Sequence, residues 1–337
     1  MKRHQTTIID IARELGLSKS TVSRALTGSA NIHPDTRQRI LEAARRLEYQ
    51  PNLLAQSLIR SETHLLGVVI PDIEKPFYAR IVCGTQHMAS QAGYRVIITQ
   101  SNESPEVEVQ NVQALVLSRV DGLLVCHTRE TTNFEHMRLI FRKGIPLVSF
   151  ARICDELPVT KIVEDDRTGG RLVTEHLLDR GYRRIAVLAG PEGLLLSEER
   201  LAGYRQAMAT AGLPVRPDWV SHTRFTTADT LAALARWQAL PEPPEAVFAI
   251  FDAGAVDIIR AVKQQGRSIP ADLAVAGFGD DPAASLLEPG LTTFRQTPYV
   301  IGQVACRQLL NQLAGDAGAL AAEPIIVPGE LVVRAST

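Results

Sequence analysis

The chain has 337 residues, 45% of them hydrophobic, and 36 Lys and Arg against 37 Asp and Glu for a net charge of −1. That is enough apolar material for two or three domains rather than one, and no run approaches the length of a membrane span. The overall charge says nothing about nucleic acid, but its distribution does: residues 1–60 hold ten Lys and Arg against five Asp and Glu, the remainder 26 against 32. A basic head on an acidic body is the electrostatic footprint of a DNA-binding module joined to something else. The four cysteines, Cys83, Cys126, Cys154 and Cys306, are scattered without a Cys-x-x-Cys pair. Neither a zinc site nor a disulfide framework is expected; buried free thiols in a reducing cytoplasm are. Met1-Lys2-Arg3-His4 leads into a helix without an apolar signal core, which agrees with a cytoplasmic location.

In chain order, Ile8, Ile11, Ala12 and Leu15 fall at the spacing of an amphipathic helix, with Thr7 and Asp10 placed as a capping box. Gly16 breaks that helix, and Ser18 can cap a second one that turns Val22, Ala25 and Leu26 inward. Two helices joined by a tight glycine turn make a helix-turn-helix, whose second helix enters the major groove. Lys19, Ser20 and Arg24 face outward there as donors for base edges or phosphates. A third helix starts at Pro34 and buries Ile40, Ala44 and Leu47.

The next stretch, Tyr49-Gln50-Pro51-Asn52-Leu53-Leu54-Ala55-Gln56-Ser57-Leu58, completes a pattern with Ile9-Asp10-Ile11-Ala12, Thr21-Val22-Ser23-Arg24 and Thr36-Arg37. Over nearly its whole length the chain resembles the lactose-repressor/galactose-repressor (LacI/GalR) family of bacterial transcription regulators. The resemblance implies a helix-turn-helix domain over 1–50, a hinge over 51–62 and an effector-binding, dimerising core over 63–337. It also implies that Lys19 and Ser20 discriminate operators, that Arg24 meets a guanine edge, and that Thr21, Ser23 and Asn31 hold phosphates. Asn52, Ala55 and Leu58 would belong to a hinge helix that orders on DNA, with Leu58 wedged into the minor groove. His33 departs from the usual Ser or Thr cap before the third helix, offset in part by Pro34.

From Leu65 the period changes. Apolar runs at 65–70, 95–98, 122–125 and 145–148 alternate with amphipathic stretches near 78–91, 107–118 and 134–142. The pattern restarts with runs at 184–188, 246–250 and 273–277, separated by helical stretches near 198–211, 228–237 and 255–265. Such alternation predicts parallel sheets covered on both faces, hence a core of two doubly wound α/β subdomains behind the α-helical headpiece. In open α/β sheets ligands sit beyond the carboxyl ends of the strands. By resemblance to periplasmic-binding-protein-like cores, the chain crosses between lobes near Val163, Leu291 and Pro324, giving an N-lobe of about 63–162 and 292–323 and a C-lobe of about 163–291 and 324–337.

Phosphate loops, nucleophile elbows and His-Glu-x-x-His are all missing from the sequence, so an enzyme is not expected, nor a metal or cofactor. The effector candidates are Asp72, Phe77 and Tyr78 after the first core strand, and Glu164 and Asp165 at the first crossover. Arg200 joins them in an Arg-Leu-Ala-Gly motif like the family's, with Phe225 as a further lining candidate. Asp252 and Asp280 match acidic positions of two family motifs. Where many sugar-responsive relatives have an aspartate, this chain has Ala151 then Arg152, so a cleft holding Arg152 and Arg200 reads as suited to a sugar phosphate or sugar acid as well as a sugar. The C-terminus ends without the leucine heptad by which some relatives tetramerise, so the resemblance implies a homodimer, binding palindromic DNA under control of a small molecule. A periplasmic-type binding protein is the rival reading; it would share the core without the basic head.

Overall fold

The computed structural model describes residues 6–27, 31–49, 62–153, 157–316 and 323–337. The expected hinge residues Asn52, Ala55 and Leu58 lie outside these, as does Cys154. The chain divides into two compact units, Met1–Thr63 and His64–Thr337.

Three helices form the described part of the first unit: α1 (Ile8–Leu15), α2 (Lys19–Leu26) and α3 (Pro34–Arg46). Each start follows from its local chemistry. The Thr7 side chain accepts from the Asp10 amide while an Asp10 oxygen accepts from the Thr7 amide at 2.9 Å, a reciprocal capping box. Gly16 ends α1 at φ +66°, a left-handed conformation glycine takes without a Cβ clash. Ser18 then caps α2, accepting from the Thr21 amide at 3.1 Å. His33 makes no side-chain cap bond, and Pro34 opens α3 instead. Ile11, Val22, Ala25, Ile40 and Ala43 are the buried centre, with Leu47 and Tyr49 packed against it.

The second unit holds two sheets. β1 (Leu65–Ile70), α4 (Pro76–Gln91), β2 (Arg95–Gln100), α5 (Pro105–Leu117), β3 (Gly122–Val125), α6 (Glu135–Arg142), β4 (Leu147–Phe150) and β5 (Thr160–Glu164) begin the N-lobe. The C-lobe follows with α7 (Asp166–Asp179), β6 (Ile185–Ala189), α8 (Leu195–Thr210), β7 (Val220–His222), α9 (Thr227–Gln238), β8 (Ala246–Ala249), α10 (Asp252–Gln264), β9 (Ala274–Gly279) and β10 (Thr292–Arg295). The chain returns to the N-lobe for α11 (Pro298–Leu313) and β11 (Ile325–Val327), then ends on β12 (Glu330–Val332) in the C-lobe. The N-lobe sheet runs β11-β5-β4-β3-β1-β2, all parallel; the C-lobe sheet runs β12-β10-β9-β8-β6-β7 with only β12 antiparallel. Each is buried on both faces, which is why β1, β3, β6 and β8 read as unbroken apolar runs. The crossings fall after Glu164, after Arg295 and after Val327, each slightly later than expected, because β5 and β11 belong to the N-lobe sheet and β10 to the C-lobe sheet.

Inside each lobe one helix pair packs backbone to backbone. A Cβ on Gly84 would lie 2.0 Å from the Tyr299 carbonyl oxygen, and one on Gly302 would lie 2.0 Å from that of Ile81, so α4 and α11 touch only because both positions lack one. Gly170 and Gly203 do the same for α7 and α8, with Cβ positions 2.2 and 2.1 Å from the Arg200 and Arg167 carbonyl oxygens. Gly84→Ala must therefore push two helices apart, and we expect it to cost about 1–3 kcal/mol in urea unfolding. An unchanged midpoint would show that the helix pair yields freely.

Candidate functional site

A cavity of about 290 Å³ opens at the carboxyl ends of the strands, between the lobes. Phe77 and Tyr78, at the start of α4, and Arg152, just past β4, line it from the N-lobe; Phe225, Phe251, Asp252 and Phe278 line it from the C-lobe. Glu164, Asp166, Arg200 and Gln296 line it where the chain crosses over. Aromatic rings dominate its walls: Phe77 and Tyr78 meet edge to face at 5.2 Å, and Phe225 and Phe251 at 4.8 Å. Phe225 sits at φ +61°, a left-handed backbone unusual for a bulky residue and part of how its ring is aimed. Burial drives the Tyr78 phenol well above its usual range, so it stays neutral.

Arg200 is the most connected group. Its Nε donates to Asp166 at 2.7 Å, its Nη1 to the Ile250 carbonyl at 2.6 Å, and its plane lies 3.7 Å from the Phe278 ring centroid. Its Nη2 is 3.9 Å from Glu164, too far for a hydrogen bond. Arg152 also lines the cavity but turns its terminal nitrogens from it, gripping Glu103 with two bonds of 2.8 and 2.9 Å and donating to the His127 carbonyl at 3.1 Å, while its buried Nε has no hydrogen-bond partner. Burial opposes ionisation of Glu103, yet its bonds from Arg152 and Arg129 hold its carboxyl below the ordinary range. Glu164 differs, since burial and then the nearby Asp166 push it up to about 8.

Seven of the expected residues therefore meet at one cavity: Phe77, Tyr78, Arg152, Glu164, Arg200, Phe225 and Asp252. Three do not. Asp72 accepts from the Glu74 amide at 3.0 Å in the turn after β1. Asp165 caps α7 through the Thr168 amide at 3.2 Å. Asp280 is taken up by Arg295 at 2.6 Å and Arg334 at 2.7 Å. The expected surplus of positive charge is also corrected, because Glu103 and Asp166 offset the two arginines. Asp166, Phe251, Phe278 and Gln296 escaped the sequence reading: Asp166 and Phe278 are brought in by Arg200, Phe251 by Phe225, and Gln296 by Glu164 across the crossover. Cys83 is exposed, contrary to the expectation of buried thiols, whereas Cys126 and Cys306 are buried.

In the first unit, Lys19, Ser20 and Arg24 stand exposed on α2, and Asn31 is exposed beyond it. Thr21 and Ser23 are half-buried, Thr21 sharing a 2.7 Å hydroxyl contact with Ser18. Among the described residues no cluster of three metal-ligating side chains occurs and no helix is long and apolar enough to cross a membrane.

Comparison with known proteins agrees with both units. Residues 7–52 match the model for bacterial regulatory proteins of the lacI family, and residues 174–337 that for a periplasmic binding protein-like domain. The HTH-type transcriptional repressor CytR of Escherichia coli K12 is 31% identical, covering 100% of this chain and 98% of that protein. Catabolite control protein A of Priestia megaterium is 31% identical over 91% of this chain and 92% of its own. A crystal structure of the lac repressor dimer bound to operator and the anti-inducer ONPF superposes with a TM-score of 0.87 at 25% identity, covering 99% of each chain.

Asp252 supplies a test of how dry this cavity wall is. Burial lifts its carboxyl to about 6, against the hydrogen bonds it accepts from Thr293 at 2.6 Å and the Asp281 amide at 2.8 Å. A carboxyl raised in the folded state keeps a proton that the unfolded chain releases, so its contribution is fullest below about pH 4 and is lost as pH rises through about 6. Measured as a difference from Asp252→Asn in denaturant titrations, wild-type stability is expected to fall by about 3 kcal/mol across that window. A flat difference would mean that water reaches the carboxyl.

Proposed function

The chain belongs to the lacI family of bacterial regulatory proteins, and on that premise we propose that it is a repressor that holds a palindromic operator as a homodimer and answers to a sugar-class effector bound between the lobes of its second unit. It is a DNA-binding transcriptional regulator. The observation that carries the finer reading is one chain bearing both a capped recognition helix with Lys19, Ser20 and Arg24 exposed and an aromatic-walled cavity ringed by polar side chains. The rival reading, a periplasmic-type binding protein, is unsupported: the whole-length relatives are regulators, and this chain carries the lacI-family DNA-binding segment. Those relatives act on transcription rather than as enzymes, and we place this chain with them, in the cytoplasm.

In the proposed arrangement Arg24 meets a guanine edge, Lys19 and Ser20 select the neighbouring bases, and Thr21, Ser23 and Asn31 fix register on phosphates. Asn52, Ala55 and Leu58 would form the hinge, with Leu58 prying open the central step. Effector contacts fall to Phe77, Tyr78, Glu164, Arg200, Phe225 and Asp252, with Arg152 held behind them by Glu103. Because the three crossovers join the lobes, a ligand that prefers one lobe arrangement biases the spacing of the two headpieces in the dimer. A coupling of about 1–3 kcal/mol would change operator affinity by about 5–150-fold.

The test is a gel-shift titration with the symmetric duplex lying upstream of the regulated gene, against random DNA across a salt series. No preference for the symmetric duplex would end the reading. Arg24→Ala is expected to cost about 1–3 kcal/mol of specific binding, with an unchanged melting temperature because the side chain is exposed. Leu58→Ala is expected to weaken operator binding by more than about tenfold while leaving effector binding intact. Equal affinity for wild type and this variant would reject the wedge.

A further inference from the structure

Among the charged groups around the cavity, one is left without a partner for half of its carboxylate. Glu164 has a side chain only 7% exposed and lines the cavity, yet its Oε1 has no hydrogen-bond partner. Its other oxygen accepts from Gln296, across the crossover. The groups that face it are Asp166 from α7, Arg200 from α8 and the Thr297 backbone amide next to Gln296, and Arg200 spends its near donors on Asp166 and the Ile250 carbonyl. The other cations are paired with a different acid or sit at the rim: Arg152, whose Nε alone is unpartnered, and Arg129 both reach Glu103, at 2.8 and 3.4 Å, and Lys75 is exposed. A buried carboxyl oxygen with no partner is costly whether or not it carries a proton, and the cavity that leaves it so is walled by Phe77, Tyr78, Phe225 and Phe251. Aromatic faces beside an unmatched carboxylate attract an ammonium group, which gains from the ring quadrupoles and from the charge together.

We propose that Glu164 is the specificity-determining residue of this cavity and reads a protonated amine on the effector, so that the site takes an amino sugar over the neutral sugar of the same shape. This rests on the reading of the cavity as the effector site. In the empty cavity the carboxyl holds a proton, since burial and Asp166 push it up to about 8. The incoming ammonium takes the proton's place, and the proton passes to buffer. Binding of the amine is thus accompanied by proton release below neutral pH, where the amine itself stays charged. A neutral hydroxyl in the same place would leave the proton on Glu164.

The experiment is isothermal titration of the full chain with two matched pairs, glucosamine against glucose and galactosamine against galactose. Each is run below neutral pH in two buffers of different ionisation enthalpy. We expect at least one amino sugar to bind more than about tenfold tighter than its partner, with close to one proton released per ligand. Glu164→Gln, isosteric and still able to bond Gln296, should abolish both the preference and the proton release, and Glu164→Asp should restore part of each. Tighter binding of the neutral members, a preference that survives in Glu164→Gln, or binding of neither member of either pair overturns the proposal. The operator gel shift, run on the same preparations, reports separately whether the regulator reading stands.

Discussion

The guanidinium of Arg200 is the constraint on which the second unit depends. It is 6% exposed, projects from α8, ties the first turn of α7 through Asp166, reaches the end of β8 through the Ile250 carbonyl, and lies on the Phe278 ring of β9. Four elements of the C-lobe are thereby fixed at the edge where the chain arrives from the N-lobe. Removing one partner of such a buried pair leaves an unmatched charge, which costs far more than the pair itself contributes, so the cluster is held in one arrangement. Glu164 and Asp166 crowd the same arginine: burial and then Asp166 raise the Glu164 carboxyl, and burial with the Glu199 and Asp165 charges raises that of Asp166. One arginine cannot neutralise two buried acids at full strength, and that imbalance gives the cavity its chemical character.

How much of this was legible before the structure depended on distance along the chain. The headpiece was readable because its determinants are local: Thr7 with Asp10, Gly16, Ser18 and Pro34 each act within one helical turn. Phe77, Tyr78, Arg152 and Arg200 were readable because strand ends and a short motif place them. The electrostatics were not. Arg152 looks like a free cation in sequence, but its carboxylate partner Glu103 comes from a turn 49 residues earlier, beyond the edge strand β2. Glu164 and Gln296 are 132 residues apart and meet only because the chain crosses between lobes. Asp280 shows the converse: a motif position suggested a ligand contact, and Arg295 and Arg334, distant in sequence, claim it as an ion-paired brace instead.

β5, β10, β11 and β12 also escaped the pattern of apolar runs, and for a common reason. They are short, and all but the three-residue β11 (Ile325–Val327) carry polar residues: Thr160-Lys161 in β5, Thr292-Thr293 in β10 and Glu330 in β12. Their hydroxyls are spoken for: Thr293 bonds Asp252 at 2.6 Å and Thr292 bonds the Arg334 carbonyl at 3.0 Å. Of these, β5 and β10 lead directly into the cavity through Glu164 and Gln296, so polar residues gather where those two crossings begin.

The lobes themselves are poorly suited to bending. Glycine-mediated contact of α4 with α11, and of α7 with α8, brings helix backbones together with no side chain between them to rearrange, which stiffens each lobe. Change is left to the three crossovers, and two of them carry the hydrogen-bonded pair Glu164 and Gln296. A ligand that engages Glu164 therefore acts where motion is possible, and it shifts the lobe arrangement only by as much as its contacts differ between open and closed forms. Aromatic walls contributed by both lobes meet that condition, since Phe77 and Tyr78 stand on one body and Phe225 and Phe251 on the other. On the proposed reading, a ring clasped by both pairs would be bound fully only with the lobes closed on it, which would let a site that binds also report.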